Sequence, residues 1–390
     1  EIVSRDWSSD VCSSDLECLF VAEVEIGGTK RGRIAYSFDD IALVPTRRTR
    51  NPEEVSTSWK IDAYDFEFPI MAAPMDSVVS PEVAIAYGKL GGLAVLNLEG
   101  IWTRYEDPKS ELKKIIASQP ESGLEVIQKI YSKPINPELI KERIKEIKAG
   151  GVIAAAALSP RSVTKYFKAV VDAGVDIFVI RGTTVSAEHV SKNEEPINLK
   201  NFIYELDVPV IVGGCASHQA ALHLMRTGAA GVLVGFGGGA THTTSDVLGV
   251  KVPMATAVAD VAAARREYLD ESGGRYVHVI ADGSIGKSGD ISKAIAMGAD
   301  AVMIGSALAR SKSSPGGGKH WGVEAVHANL PRGQVVELGV TGSLEQILFG
   351  PSNNASGTLN LVGALKKAMA TTGYSDLKEL QRIEIVVNPE

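Results

Sequence analysis

Apolar residues along this chain gather in short unbroken runs instead of alternating with polar ones. Eight runs stand out, at 69–73, 93–96, 152–158, 177–180, 209–212, 232–234, 277–281 and 302–304. A strand without a polar face is buried on both sides, as in a parallel sheet covered by helices. Helical stretches separate most of the runs, among them 81–90, 163–173, 219–226 and 288–296. One punctuation recurs where such a helix gives way to a strand. It reads Lys89-Leu90-Gly91-Gly92-Leu93, Lys148-Ala149-Gly150-Gly151-Val152 and Asp172-Ala173-Gly174-Val175, then Arg226-Thr227-Gly228-Ala229 and Met297-Gly298-Ala299. The residue that ends a helix often needs a positive φ, which glycine adopts without steric cost.

Eight such β/α units in about 300 residues predict a (β/α)₈ TIM barrel in the α/β class. A doubly wound open sheet is the competing arrangement. It would want a GxGxxG turn after the first strand, and Ala72–Asp76 has none. The expected organisation is one barrel domain over 21–390 with a short helical insertion at 100–150. Helices are predicted there at 108–117, 123–131 and 137–148. Residues 1–20, with the near-repeat Trp7-Ser8-Ser9-Asp10 and Cys12-Ser13-Ser14-Asp15, show neither period. They read as a non-native or disordered leader and are left out of the fold.

Composition narrows the function classes. A net charge of −7 over 390 residues argues against a nucleic-acid or membrane-surface binder. No apolar run approaches the ~20 residues of a membrane span. Three cysteines, Cys12, Cys18 and Cys215, make no disulfide framework, and a reducing cytoplasm fits them best.

A barrel places its chemistry at the C-terminal ends of its strands. The ends here include Ala73-Pro74-Met75-Asp76, Arg181-Gly182-Thr183-Thr184, Gly213-Gly214-Cys215, Asp282-Gly283-Ser284 and Gly305-Ser306. Most unusual is Gly235-Phe236-Gly237-Gly238-Gly239-Ala240-Thr241-His242-Thr243-Thr244. A loop stripped of side chains lets backbone N–H groups approach an anion, or carbonyls converge on a cation. Gly305-Ser306 opens a helix and suits a phosphate. Asp282 suits the two hydroxyls of a ribose, with simple turn formation as its alternative.

With these residues in view, the chain resembles the IMP dehydrogenase/GMP reductase family from Tyr36 to about Tyr374. The resemblance rests on 37–45 (SFDDIALVP), 69–78 (PIMAAPMDSV), 280–285 (IADGSI), Ser288-Gly289-Asp290 and 298–306 (GADAVMIGS). Thr341-Gly342-Ser343 and 360–365 (NLVGAL) look like the IMP dehydrogenase-related branch of actinobacteria and cyanobacteria that lacks CBS modules. The resemblance implies a purine-nucleotide oxidoreductase. It would act either as an IMP dehydrogenase (IMP and NAD to XMP and NADH) or as a GMP reductase (GMP and NADPH to IMP). It further implies NAD or NADP as cofactor, a potassium ion, and a homotetramer.

Carried over by resemblance, Asp282 would hold the ribose, while Gly283, Ser284, Gly305 and Ser306 would surround the phosphate. Met75 would pack on the base, and 320–324, including His320 and Gly322, would line its edge. Arg181, Gly182, Thr183, Gly235 and Gly237 would fall on the cofactor side. Gly237, Gly239 and His242 would offer carbonyls to potassium, and His242 and Thr244 would occupy the catalytic positions.

The chain departs from the family pattern at the chemistry. The catalytic cysteine, which forms a covalent adduct at the purine C2, falls on His242. An imidazole can move protons but forms no thioimidate. Loss of the ancestral chemistry, leaving a nucleotide-binding relative, is therefore an alternative. The aspartate that grips the nicotinamide ribose falls on Arg181, a cation suited to a phosphorylated ligand such as NADPH. The asparagine after the fifth strand falls on Gly214, and the flap's arginine–tyrosine pair has no counterpart in 327–332. Cys215 is the one remaining thiol at the catalytic face, either a displaced nucleophile or a small buried hydrophobe.

Overall fold

The computed structural model describes residues 23–119, 122–190, 197–236, 238–322 and 333–388. The leader at 1–20 and the flap stretch 327–332 lie outside them. The chain divides into two units, Glu1–Ala35 and Tyr36–Glu390. In the first, Glu23–Ile26 pairs antiparallel with Lys30–Arg33 as an exposed hairpin.

The second unit is a closed barrel of eight parallel strands. We number them β1 (Ile70–Ala72), β2 (Leu93–Asn97), β3 (Ala155–Leu158), β4 (Ile177–Arg181), β5 (Val210–Cys215), β6 (Gly231–Val234), β7 (His278–Asp282) and β8 (Ala301–Ile304). Each strand pairs with its successor, and β8 closes on β1 through Val302 opposite Ile70. Nearly every strand residue is buried, as the unbroken apolar runs require. The run at 152–158 enters the sheet only at Ala155, because Asp176 binds the preceding backbone: its Oδ2 accepts from Ala154 N at 2.8 Å.

All five glycine stops carry positive φ: 90° at Gly91, 75° at Gly151, 79° at Gly174, 95° at Gly228 and 113° at Gly298. Each ends a helix in a conformation that other residues adopt only with strain. The predicted insertion helices form at Pro108–Ala117, Gly123–Tyr131 and Pro137–Ala149. Each carries a proline or a serine/asparagine/aspartate cap position at its start, a common way to open a helix. The longest described helix, Met254–Glu271, joins β6 to β7 and buries Val258, Val261 and several alanines.

Candidate functional site

The expected substrate residues come from four consecutive strand ends in the barrel, those of β6, β7, β8 and β1. At the end of β7, Gly283 and Ser284 take φ of 96° and 56°. Left-handed serine is uncommon, and such strained turns cluster at functional sites. The turn aims the Ser284 hydroxyl at the loop after β6, where it donates to Gly238 O at 3.2 Å. A Cβ on Gly238 would stand 1.8 Å from Ser284 Oγ, so only glycine fits. The same loop brings Gly239 beside His242: a Cβ on Gly239 would lie 3.4 Å from His242 Cδ2 and 4.0 Å from Ser306 Oγ. Gly239, His242 and Ser284 share the lining of a cavity of ≈ 180 Å³.

On the other flank, a Cβ at Gly305 would lie 2.8 Å from Met75 Sδ and 3.4 Å from His320 Cε1. Met75, Gly305 and His320 therefore meet at one point, next to Ser306. The helix that opens at Ser306 runs only to Ala309. One turn carries little macrodipole, so anion binding there would rest on backbone N–H groups and the hydroxyl. His320 is buried, with Nδ1 2.8 Å from the Ser77 hydroxyl. Burial, with the charges of His242 and Arg310, presses its imidazole down to about 3, so it stays neutral near pH 7. Gly322 is buried beside it, whereas 323–324 lie outside the described residues.

The loop 238–244 is rich in unsatisfied oxygen. The hydroxyls of Thr241, Thr243 and Thr244 are buried with no hydrogen-bond partner among the described residues. Buried polar groups are normally paired, and such orphans point to a missing ligand or water. An all-oxygen donor set fits a hard cation such as potassium. The carbonyls of Gly239 and His242 would hold it; Gly239 O already accepts from His242 N at 3.1 Å. Gly237 lies outside the described residues. No group of three His, Cys, Asp or Glu side chains among the described residues could hold a metal. The segment after the flap straps this loop: Gly333 bridges His242, and Gln334 Nε2 donates to Ala240 O at 2.9 Å. Nothing in the sequence pattern marked those two residues.

The cofactor-side positions come from β4 and β5. Gly182 N donates to Gly213 O at 2.9 Å and Gly214 N to Gly182 O at 3.1 Å, locking the two strand ends together beside Thr183. Gly235 N donates to Cys215 O at 2.8 Å. Two expectations change here. Cys215 is 1% exposed, its Sγ–H points at Leu233 O 3.5 Å away, and burial pushes its thiol up to about 12. Such a group supplies no thiolate near neutral pH, so the structure supports a small buried hydrophobe and not a displaced nucleophile. Arg181, expected to meet a cofactor phosphate, instead lies across the barrel mouth. Its Nε donates to Asp282 Oδ2 at 2.9 Å, with both side chains 11% exposed. No carboxylate stands at its position for a nicotinamide ribose. Arg181 therefore does not fit the cofactor grip that the resemblance implies at its position.

A second network was invisible in sequence. Asp76, at the end of β1, is fully buried and accepts from Tyr131 Oη, from Asn97 Nδ2 at 3.2 Å and from Ile101 N at 2.6 Å. Burial lifts its carboxyl to about 6 against those hydrogen bonds. Tyr131 Oη in turn accepts from Trp321 Nε1 at 3.2 Å, so the insertion reaches the strand that carries His320.

Among the described residues, no helix is long and apolar enough to cross a membrane. Comparison with known proteins agrees with the geometry. The family model described as the IMP dehydrogenase / GMP reductase domain matches residues 35–333. An uncharacterized oxidoreductase of Mycolicibacterium smegmatis is 50% identical over 93% of this chain and 99% of its own length. An inosine-5'-monophosphate dehydrogenase of Methanocaldococcus jannaschii is 27% identical over 89% of this chain and 91% of its own length. The crystal structure of an IMP dehydrogenase/GMP reductase-like protein from Corynebacterium glutamicum superposes with a TM-score of 0.90 at 49% identity, covering 94% of this chain and 98% of that one. With the closed barrel and a family model that spans most of it, the chain belongs to the IMP dehydrogenase/GMP reductase family of oxidoreductases.

Proposed function

We propose that this chain binds a purine 5′-nucleotide, IMP in the first instance, at the ends of β6, β7, β8 and β1, as a purine-nucleotide oxidoreductase of the IMP dehydrogenase type. The single observation that carries this reading is that Gly239, Ser284 and Ser306 gather beside Met75 and His320, with the Gly305-Ser306 pair joining the two flanks. The first three would receive the phosphate, and Met75 with neutral His320 would pack against the base. The GMP reductase direction is the alternative within the same chemistry.

A second reading is favoured by the thiols. By the resemblance, the nucleophile position falls on His242, and the Cys215 thiol is buried and pushed up to about 12. On this reading the protein binds nucleotide and turns over weakly or not at all. Calorimetry with IMP and GMP tests binding. Steady-state assays with IMP plus NAD and GMP plus NADPH test turnover. The expected outcome is micromolar binding with little turnover, and a gain of at least tenfold in His242→Cys. Absence of nucleotide binding sinks both readings. A covalent nucleotide adduct on the unmodified chain, seen by intact mass, sinks the second.

A further inference from the structure

Arg181 leaves the strand that would face a cofactor and ends on the carboxylate that would face the substrate. It starts at the end of β4, opposite Gly213 of β5, and reaches Asp282 at the end of β7. Two strand ends, those of β5 and β6, lie between. The span is short because glycines there let the backbones close up: a Cβ on Gly214 would stand 2.3 Å from Gly235 O, and one on Gly235 2.2 Å from Asp282 O. The pair sits largely out of water, where an ion pair is screened little. A guanidinium Nε–H on a carboxylate is a charge-assisted hydrogen bond, about twice as strong as a neutral one. A ribose hydroxyl is a neutral donor. For hydroxyls to take Asp282 fully they must compete with a cation already bound to it.

We propose that Arg181 is a specificity-determining residue of the nucleotide site: by holding Asp282, it makes the site read phosphate and base more strongly than the ribose diol. The ligand class is then purine 5′-nucleotides with little demand for the sugar hydroxyls, so 2′-deoxy and 2′,3′-dideoxy forms bind nearly as well as the ribonucleotide. This rests on the nucleotide reading above and adds a residue to it. Arg181 acts through Asp282, so it is a positioning residue and makes no contact in the reaction itself.

The test compares the dissociation constants of IMP and 2′,3′-dideoxy-IMP on the whole chain and on Arg181→Gln. A role in stability alone would weaken both ligands together and leave their ratio unmoved. The expected ratio is within threefold for the unmodified chain and rises at least fivefold when the guanidinium is removed. A smaller rise overturns the proposal, as does discrimination of tenfold or more by the unmodified chain. If Arg181→Gln does not fold, Arg181→Met, which removes both the charge and the donor, is read by the same fivefold criterion. Binding of both ligands with an unchanged ratio defeats this inference alone. If neither ligand binds any of the proteins, the nucleotide reading is defeated, and this inference falls with it.

Discussion

The barrel holds a largely enclosed arginine–aspartate pair at each end, and the two are built to different standards. At the N-terminal end, Asp300 is saturated. Tyr276 Oη at 2.7 Å, Lys378 Nζ and Gln381 Nε2 at 3.3 Å donate to one oxygen, and Arg265 Nη1 and Val279 N, both at 2.8 Å, donate to the other. At the C-terminal end, Asp282 receives one hydrogen bond among the described residues, from Arg181. A saturated carboxylate has no lone pair to offer a ligand and serves the fold. An unsaturated one keeps lone pairs open, here on Oδ1 because Arg181 holds Oδ2, at some cost to stability. The contrast follows the division of a TIM barrel into a stabilising bottom and a reactive top.

The largest effect should come from breaking the saturated pair. Asp300→Ala would strand the largely enclosed Arg265 guanidinium, at about 3–5 kcal/mol. Asp282→Ala should cost less, about 1–2 kcal/mol, because one hydrogen bond is lost there against five at Asp300. Urea unfolding of the two variants decides it. Equal losses would erase the distinction between the ends.

Asp76 sharpens the comparison, since it is as buried as Asp300 but its hydrogen-bond donors are neutral. Burial raises both carboxyls. At Asp300 the nearby charges of Arg265 and Lys378 outweigh that and bring it below the usual range, whereas Asp76 rises from 3.8 to about 6. A raised carboxyl favours folding when protonated. Its contribution is therefore present below pH 3.8 and lost as pH rises through about 6. That amounts to at most about 3 kcal/mol. Asp76→Asn should flatten the fall in unfolding free energy between pH 4 and 6. An unchanged slope in that variant would remove Asp76 as its source.

The smallest effect is expected at Cys215. Cys215→Ala should cost about 1 kcal/mol or less and leave nucleotide affinity unchanged. The native thiol should resist iodoacetamide at pH 8 until the protein is unfolded. Rapid alkylation, read by mass spectrometry, would contradict its burial.

What the sequence disclosed and what it hid divide along range. The five glycine stops, the eight strands and the insertion helices are local signals, each read within a few residues. The helix Met254–Glu271 gives a weaker signal because three of its seven buried residues are alanine, Ala255, Ala257 and Ala264, which contrast weakly with its polar face. The turn at 282–284 and the glycine loop announced themselves through composition. Their partners did not: Arg181 and Asp282 are 101 residues apart, and Tyr131 and Trp321 are 190 apart. No periodicity encodes such a meeting. Arg181 was legible as a departure from the family pattern, but its direction was not, because a side chain that long can serve either side of a barrel mouth.

Tyr131 also bears on how such a gene could be recombined. It belongs to the insertion at 100–150, yet it donates to Asp76 just after the first barrel strand and accepts from Trp321 after the last. A crossover that replaced the insertion alone would leave Asp76 short of a donor and the Trp321 indole without its acceptor. Chimaeras between this chain and relatives carrying a different insertion should therefore survive when residues 100–150 and the stretch around 321 come from the same parent. Inheritance would link two segments that the genetic map keeps far apart.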